Sequence, residues 1–393
     1  MSVSKSLTVS TKDNRDVYAL FLAVIPIIMA YKFPGLEVGF ATAIIALGVI
    51  PAFIMILERR RYVNLTVVCL LSFYLCCVML KAEGNNYLLP IAIIIHVAAI
   101  STGLVNVNVL RKYLERISII AALCVITQQL FHVLFGYHIP MMVPSFLISD
   151  LKDYTTNIIT GCGEVETMYR PCAFFLEPSH FSQYVVYGLG SSLFKSNSHI
   201  KEAIIISIGL VCTTSGMGFI LTFAVWGWWF LTYRNRVKKG ISVKNVLILV
   251  LLVSVILIIM MKIPFFSQII SRFTNDGTSD YNAVNGRLIF WSKIIENQSI
   301  NSLFWGYGDI ALDEDIYYTG FMKILYAYGI IGTAFFYLFW LYLLIKVNTF
   351  ARTFVISYIG LSFLANLTGF ISLIFNIGVI LVFDTVNNNN KSR

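Results

Sequence analysis

Long uncharged stretches alternate with short charged ones from one end of this sequence to the other. The apolar runs are Val17 to Phe33, Leu36 to Leu57, Val63 to Leu80, Tyr87 to Val105, Ile117 to Phe135, Phe174 to Phe194, Ile200 to Thr213, Met217 to Tyr233, Val246 to Ile263, Gly320 to Ile345, Phe354 to Ala365 and Phe370 to Phe383. A helix of roughly 20 residues crosses the hydrocarbon layer of a bilayer, and a helix satisfies its own backbone there. The pattern predicts an all-α, polytopic membrane bundle of about twelve helices. Residues 1–393 form a single transmembrane domain, with no soluble domain of ordinary size. The seventh run and the last two are short, so ten or eleven crossings with re-entrant pieces are an alternative.

The charged stretches orient the bundle. The N-terminus, Arg59 to Arg61, the Arg111 to Arg116 turn, Lys195 to Lys201, Arg234 to Lys244, Lys346 to Arg352 and the tail fall on one side and hold about 20 of the 29 Lys and Arg. The same side holds about 6 of the 20 Asp and Glu. Basic loops stay in the cytoplasm, so both termini are expected there. Two long connections, about residues 136–173 and 264–319, then face outward, into the periplasm of a bacterial inner membrane.

Composition agrees. The chain is 58% hydrophobic and 12% charged, against about 25% charged in soluble domains. A net charge of +9 suggests nucleic acid, but the basic residues sit in short loops between spans and report topology; no nucleic-acid partner is expected. Lys5, Lys12 and Arg15 precede the first run as in a signal peptide. A cleavage site after Ala30 would need a small residue where Ile28 stands, so the run reads as a retained span. Five of the seven cysteines lie in apolar runs. Cys162 and Cys172 fall in an outward loop, where they are either free or disulfide-bonded.

Arg170 to His180, reading Arg-Pro-Cys-Ala-Phe-Phe-Leu-Glu-Pro-Ser-His, is where the first long loop meets the sixth run. Glu177 precedes a proline, which favours the first helical position, so Glu177 is either a helix cap alone or a cap with a chemical role. His180, Gln183 or Tyr184, Tyr187 and Ser191 follow at helical spacing. Such a stripe is polar glue between helices or the wall of a wet cavity. Arg170, Arg272 and Arg287 are the outward arginines; they either pair with nearby acids or grip a phosphorylated lipid through parallel hydrogen bonds. Glycosyl transfer from a lipid diphosphate needs this combination, with arginine stabilising the departing diphosphate and Glu177 or His180 taking the acceptor's proton. Lys323, beside Tyr317 and Tyr318, either snorkels or binds diphosphate. Arg287 to Glu296 has the spacing of an amphipathic surface helix. Thr214-Ser-Gly-Met-Gly lacks the Lys-Ser/Thr of a phosphate loop. None of the five histidines shows metal-ligand spacing, so no metal or other cofactor is assigned.

Three stretches resemble the Wzy-type O-antigen polymerases of the polymerase and ligase superfamily. They are Arg170-Pro-x-x-Phe-Phe-Leu-Glu-Pro-Ser179, then Asn285-Gly-Arg-Leu-Ile-Phe-Trp with Trp305-Gly-Tyr-Gly-Asp, and Tyr328-Gly-Ile-Ile-Gly. The resemblance spans roughly Arg170 to Phe339. It implies a GT-C-like bundle that polymerises undecaprenyl-diphosphate-linked oligosaccharide units without a metal, with Arg170 and Arg287 as the functional periplasmic arginines. A chain-length-regulating protein is a candidate partner. Tyr317-Tyr318-Thr319 stands where the superfamily's ligases usually carry a histidine, which favours polymerase over ligase. The arginine that relatives place after a small-residue turn is missing near Ser215. Catalytic candidates are thus Arg170, Glu177, His180 and Arg287, and substrate-binding candidates Arg272, Tyr317, Tyr318 and Lys323. The competing class is a flippase or secondary transporter, against which stand the absence of an evident internal repeat and the gathering of ionisable residues at one surface.

Overall fold

The computed structural model describes residues 10–29, 31, 39–59, 63–81, 87–139, 169–175, 177–194, 199–236, 299–308, 318–363, 366 and 369–391. Among them every regular element is a helix: α1 Ser10–Ile28, α2 Phe40–Arg59, α3 Leu65–Lys81, α4 Leu88–Ser101, α5 Val107–Phe135, α6 Pro178–Leu193, α7 Ile200–Cys212, α8 Gly216–Arg236, α9 Ile300–Trp305, α10 Gly320–Lys346, α11 Thr349–Ser362 and α12 Phe370–Lys391. Three of these, α2, α5 and α10, are long and apolar enough to cross a membrane, which makes this a membrane protein. Eleven of the twelve apolar runs coincide with described helices; the run from Val246 to Ile263 lies outside the described residues.

Two boundaries differ from the apolar pattern for a physical reason. The expected turn from Arg111 to Arg116 is helical, because α5 begins ten residues before Ile117. The Asn106 side chain caps it by accepting from the amides of Asn108 and Val109, and Gly136, at φ 64, ends it. The charges are accommodated within the helix: Arg111 Nη2 donates to Ser191 O at 3.2 Å and its guanidinium stands 5.5 Å from the Phe350 ring, while Glu115 lies 2.5 Å from His199 Nδ1. Likewise α11 starts at Thr349 rather than Phe354, since Asn348 caps the amides of Phe350 and Ala351. In both cases a polar cap starts the helix ahead of its apolar run.

The middle of the bundle is α6. Thirteen of its sixteen residues are buried, so it is enclosed by helices on all sides rather than amphipathic. Small residues let its neighbours close in: a Cβ on Gly188 would fall 2.2 Å from Ser118 Oγ of α5, and one on Gly209 of α7 would fall 2.5 Å from Ala122 Cβ. Polar side chains tie α6 to other helices. Tyr184 OH donates to Ala23 O at 2.8 Å, Tyr187 OH donates to Asn376 Oδ1, and Gln183 Oε1 accepts from Ser372 Oγ at 3.4 Å. His96, in α4, is fixed between Tyr18 OH and Ile45 O, and the described residues hold no group of three metal-ligating side chains.

The helix ends sort into two levels. Asn64, just before α3, donates to Ser101 Oγ at the close of α4, and α5 starts six residues later, so α3 and α5 begin at one end of the bundle. Their C-terminal turns therefore share the other end. There the turn leading into α6 meets α5 through Ala173 and Gln128, and the segment after α9 meets α3 through Gly306 and Lys81.

Candidate functional site

At this end residues 169–175 fold back onto α5 through Ala173. Gln128 is 1% exposed; its Oε1 accepts from Ala173 N at 2.9 Å and its Nε2 donates to Ile139 O at 3.4 Å. Tyr169 OH donates to the same Ile139 carbonyl at 2.6 Å. Ala173 sits at φ 56, a region that costs a residue with a Cβ energy unless its surroundings hold it there. Phe175 anchors the following residues, its ring 5.7 Å from that of Phe181 and 5.3 Å from that of Tyr184.

This fold brings Arg170 and Glu177 to Cys172, and His180 to Glu177. Arg170, Glu177 and His180 are half-buried. Burial, the largest effect, and the Glu177 carboxylate push the Cys172 thiol up to about 12, while the Arg170 guanidinium opposes them. Both charges therefore act on one buried sulfur, and Glu177 acts on the His180 ring as well. Cys172 is a free thiol; protonated at neutral pH, it is a poor nucleophile. Its suggested partner Cys162 lies outside the described residues, as do Arg272, Arg287, Tyr317 and the whole segment 287–296.

Glu177 occupies the cap position of α6, with extended φ −145 and ψ 157 and Pro178 next, yet its carboxylate makes no capping bond to the helix. It accepts instead from Ser179 Oγ at 2.8 Å. Capping by its side chain therefore does not explain this acid, and the carboxylate is held at the mouth of α6 by a hydroxyl. His180 stands one turn further in, its Nδ1 buried without a hydrogen-bond partner. Below it, Gln183 and Tyr187 border a small recess shared with Ser357, Tyr358 and Asn376. The polar stripe is thus interhelical glue through Tyr184 and Tyr187, and Gln183 and Tyr187 also line that recess.

A second cluster lies at the same end. Tyr318 is 8% exposed and its ring lies 5.8 Å from that of Tyr326, which in turn lies 4.9 Å from that of Tyr307. Lys323 is half-buried in the first turn of α10, whose cap is the Thr319 side chain bonded to Met322 N. The apolar run from Gly320 hides a break: Gly329 has φ 66 and ψ −169 inside α10. The carbonyls released there are taken by the segment after α9, Tyr307 N donating to Tyr326 O and Gly308 N to Ala327 O, each at 2.9 Å. Lys81 Nζ donates to Gly306 O at 2.9 Å and fastens the segment to α3. The Gly-Tyr-Gly and Tyr-Gly-Ile-Ile-Gly stretches are thus two halves of one interlocked backbone joint.

Sequence reasoning passed over Gln128 and Tyr169, the residue before Arg170, and weighed His132 and His138 only as metal ligands; the three ring centroids lie within 4.9 Å of one another. The signal for Gln128 was present: two adjacent glutamines near the end of an apolar run need internal partners. Together the arrangement offers a fixed cation for phosphate, a carboxylate and an imidazole for proton transfer, and aromatic rings close by. The chain matches no protein-family model and no curated protein.

Proposed function

We propose that the protein is an O-antigen polymerase of the Wzy type, or polymerises a related surface polysaccharide, as a glycosyltransferase at the periplasmic face of a bacterial inner membrane. In this reading the described helices belong to a GT-C-like bundle of about twelve crossings with cytoplasmic termini. The observation that carries it is the meeting of Arg170 and Glu177 at Cys172, with His180 beside Glu177, where the chain enters α6.

The substrates are undecaprenyl-diphosphate-linked oligosaccharides. A hydroxyl of the incoming unit attacks the anomeric carbon of the growing chain. The new glycosidic C–O bond forms as the bond to the lipid diphosphate breaks, and the lipid diphosphate leaves with the bonding electrons. Arg170, with Arg287, stabilises the charge on the leaving group. The hydroxyl proton passes to Glu177 or His180. Arg272, Tyr317, Tyr318 and Lys323 hold the diphosphate and sugars, no metal or other cofactor is assigned a part, and a chain-length-regulating protein is the candidate partner. The ligase alternative within the superfamily moves finished polymer onto the lipid A core.

The break in α10 favours a second reading, because discontinuous helices line the binding sites of flippases and secondary transporters. Against it, the carbonyls of Tyr326 and Ala327 at the break already accept from the chain itself. Deletion of the protein separates the readings. A polymerase leaves a single repeat unit on lipopolysaccharide, and a ligase leaves polymer on the lipid carrier. An unchanged polymer ladder rejects the proposal.

A further inference from the structure

We infer that Gln128 is a positioning residue for Arg170, closing a bracket that fixes the guanidinium against the head of α6. The inference rests on the proposed role of Arg170, but its geometry stands apart from it. One side chain bonds both ends of the connection that spans residues 140–168: Nε2 to Ile139 O, where the chain leaves α5, and Oε1 to Ala173 N, where it returns. Tyr169 OH closes the same bracket on Ile139 O. Arg170 lies between the two pinned residues. Glu177 and His180 are carried by α6 itself, whereas Arg170 precedes the helix, so its placement depends on the bracket.

The bracket also holds Ala173 at its positive φ, and Cys172, between the pinned Tyr169 and Ala173, is 5% exposed. Release of the Ala173 amide lets that residue return to an ordinary conformation, which moves Arg170 and uncovers the sulfur. Both consequences follow from one hydrogen-bond loss, and a misplacement of about 1 Å in a transition-state contact costs about 100-fold in rate. Substrate binding, spread over several groups, changes much less.

The test uses the full chain with Cys162→Ser in proteoliposomes, treated with a membrane-impermeant maleimide, with Cys172 modification read by mass spectrometry and chain elongation assayed in parallel. Gln128→Met keeps the volume and removes both hydrogen bonds. It is expected to raise Cys172 labelling at least 10-fold and to lower kcat 10- to 100-fold, with KM within 3-fold. Tyr169→Phe, which removes one bond and keeps the ring, shifts both readouts in the same direction by less, and decides the matter if Gln128→Met does not fold. Gln129→Met is the control, because Gln129 Oε1 is buried without a partner, and it leaves both readouts unchanged. Cys172 protected as in the parent chain overturns the bracket. Faster labelling with unchanged kcat, while Arg170→Ala slows transfer by about 10²-fold or more, overturns the positioning role alone. If Arg170→Ala is fully active, the proposed function fails, and labelling still judges the bracket.

Discussion

Gly329→Ala is expected to undo the joint between α9 and α10 and to lower the melting temperature on the order of 10 °C. At φ 66 and ψ −169 the residue occupies a region reserved for glycine, and a side chain there costs about 1–3 kcal/mol in backbone strain alone. Space adds to this. A Cβ would stand 2.3 Å from Phe304 O and 2.4 Å from Phe304 C, both backbone atoms that no rotamer change can move away. Return of residue 329 to helical angles would relieve the strain, but then Tyr326 O and Ala327 O would bond within α10 and expel the amides of Tyr307 and Gly308. Gly306 meets the same constraint from the other side, at φ 73 with Ala327 O 2.2 Å from a built Cβ. Gly227→Ala is the contrast: nothing lies within 4 Å of its Cβ, and alanine is the better helix former. Thermal unfolding of the purified variants checks this, and a Gly329→Ala protein that melts with the parent would show that the joint is not rigid.

Arg170→Ala is expected to cut the elongation rate about 10²- to 10³-fold with the fold intact, the usual loss when one preorganised donor to a developing anion is removed. Arg170 is half-buried and opposes the effect of Glu177 on the Cys172 thiol, so its charge acts within the protein rather than only in solvent. Lysine keeps the charge but not the planar fork, so Arg170→Lys retains only part of the rate. Glu177→Gln tests the acid separately. Because its carboxylate makes no helix-capping bond, this change is expected to leave thermal stability near the parent's while slowing transfer. Initial rates with defined lipid-linked units, measured on variants of parental melting temperature, decide both points. Full activity in Arg170→Ala would remove the residue from the site.

The hydrophobic pattern disclosed the helices far better than the joints between them. Apolar runs are local, and α2, α3 and α7 follow from them almost directly, whereas α12 continues eight residues past its run to Lys391. What the runs missed is where polar caps extend a helix, as Asn106 and Asn348 do, and where a helix breaks while staying apolar, as at Gly329. The break depends on the carbonyls of Tyr326 and Ala327 finding partners about twenty residues earlier in the chain, a pairing that no local pattern carries. The candidate site divides the same way. Arg170, Glu177 and His180 were legible because they stand together in the chain, and so was the cap position of Glu177 from the neighbouring proline, whereas the engagement of its carboxylate by Ser179 was not. Gln128 is 45 residues from Ala173 and becomes meaningful only once α5 and α6 are antiparallel neighbours.

The central claim is that this protein lengthens a glycan on a lipid diphosphate. Its most direct test is the product formed when purified protein in vesicles is given a defined undecaprenyl-diphosphate-linked oligosaccharide and nothing else. The account predicts a ladder of polymers on the lipid carrier with release of undecaprenyl diphosphate, and a loss of that ladder in Arg170→Ala. Units that move between leaflets without growing in length would contradict it.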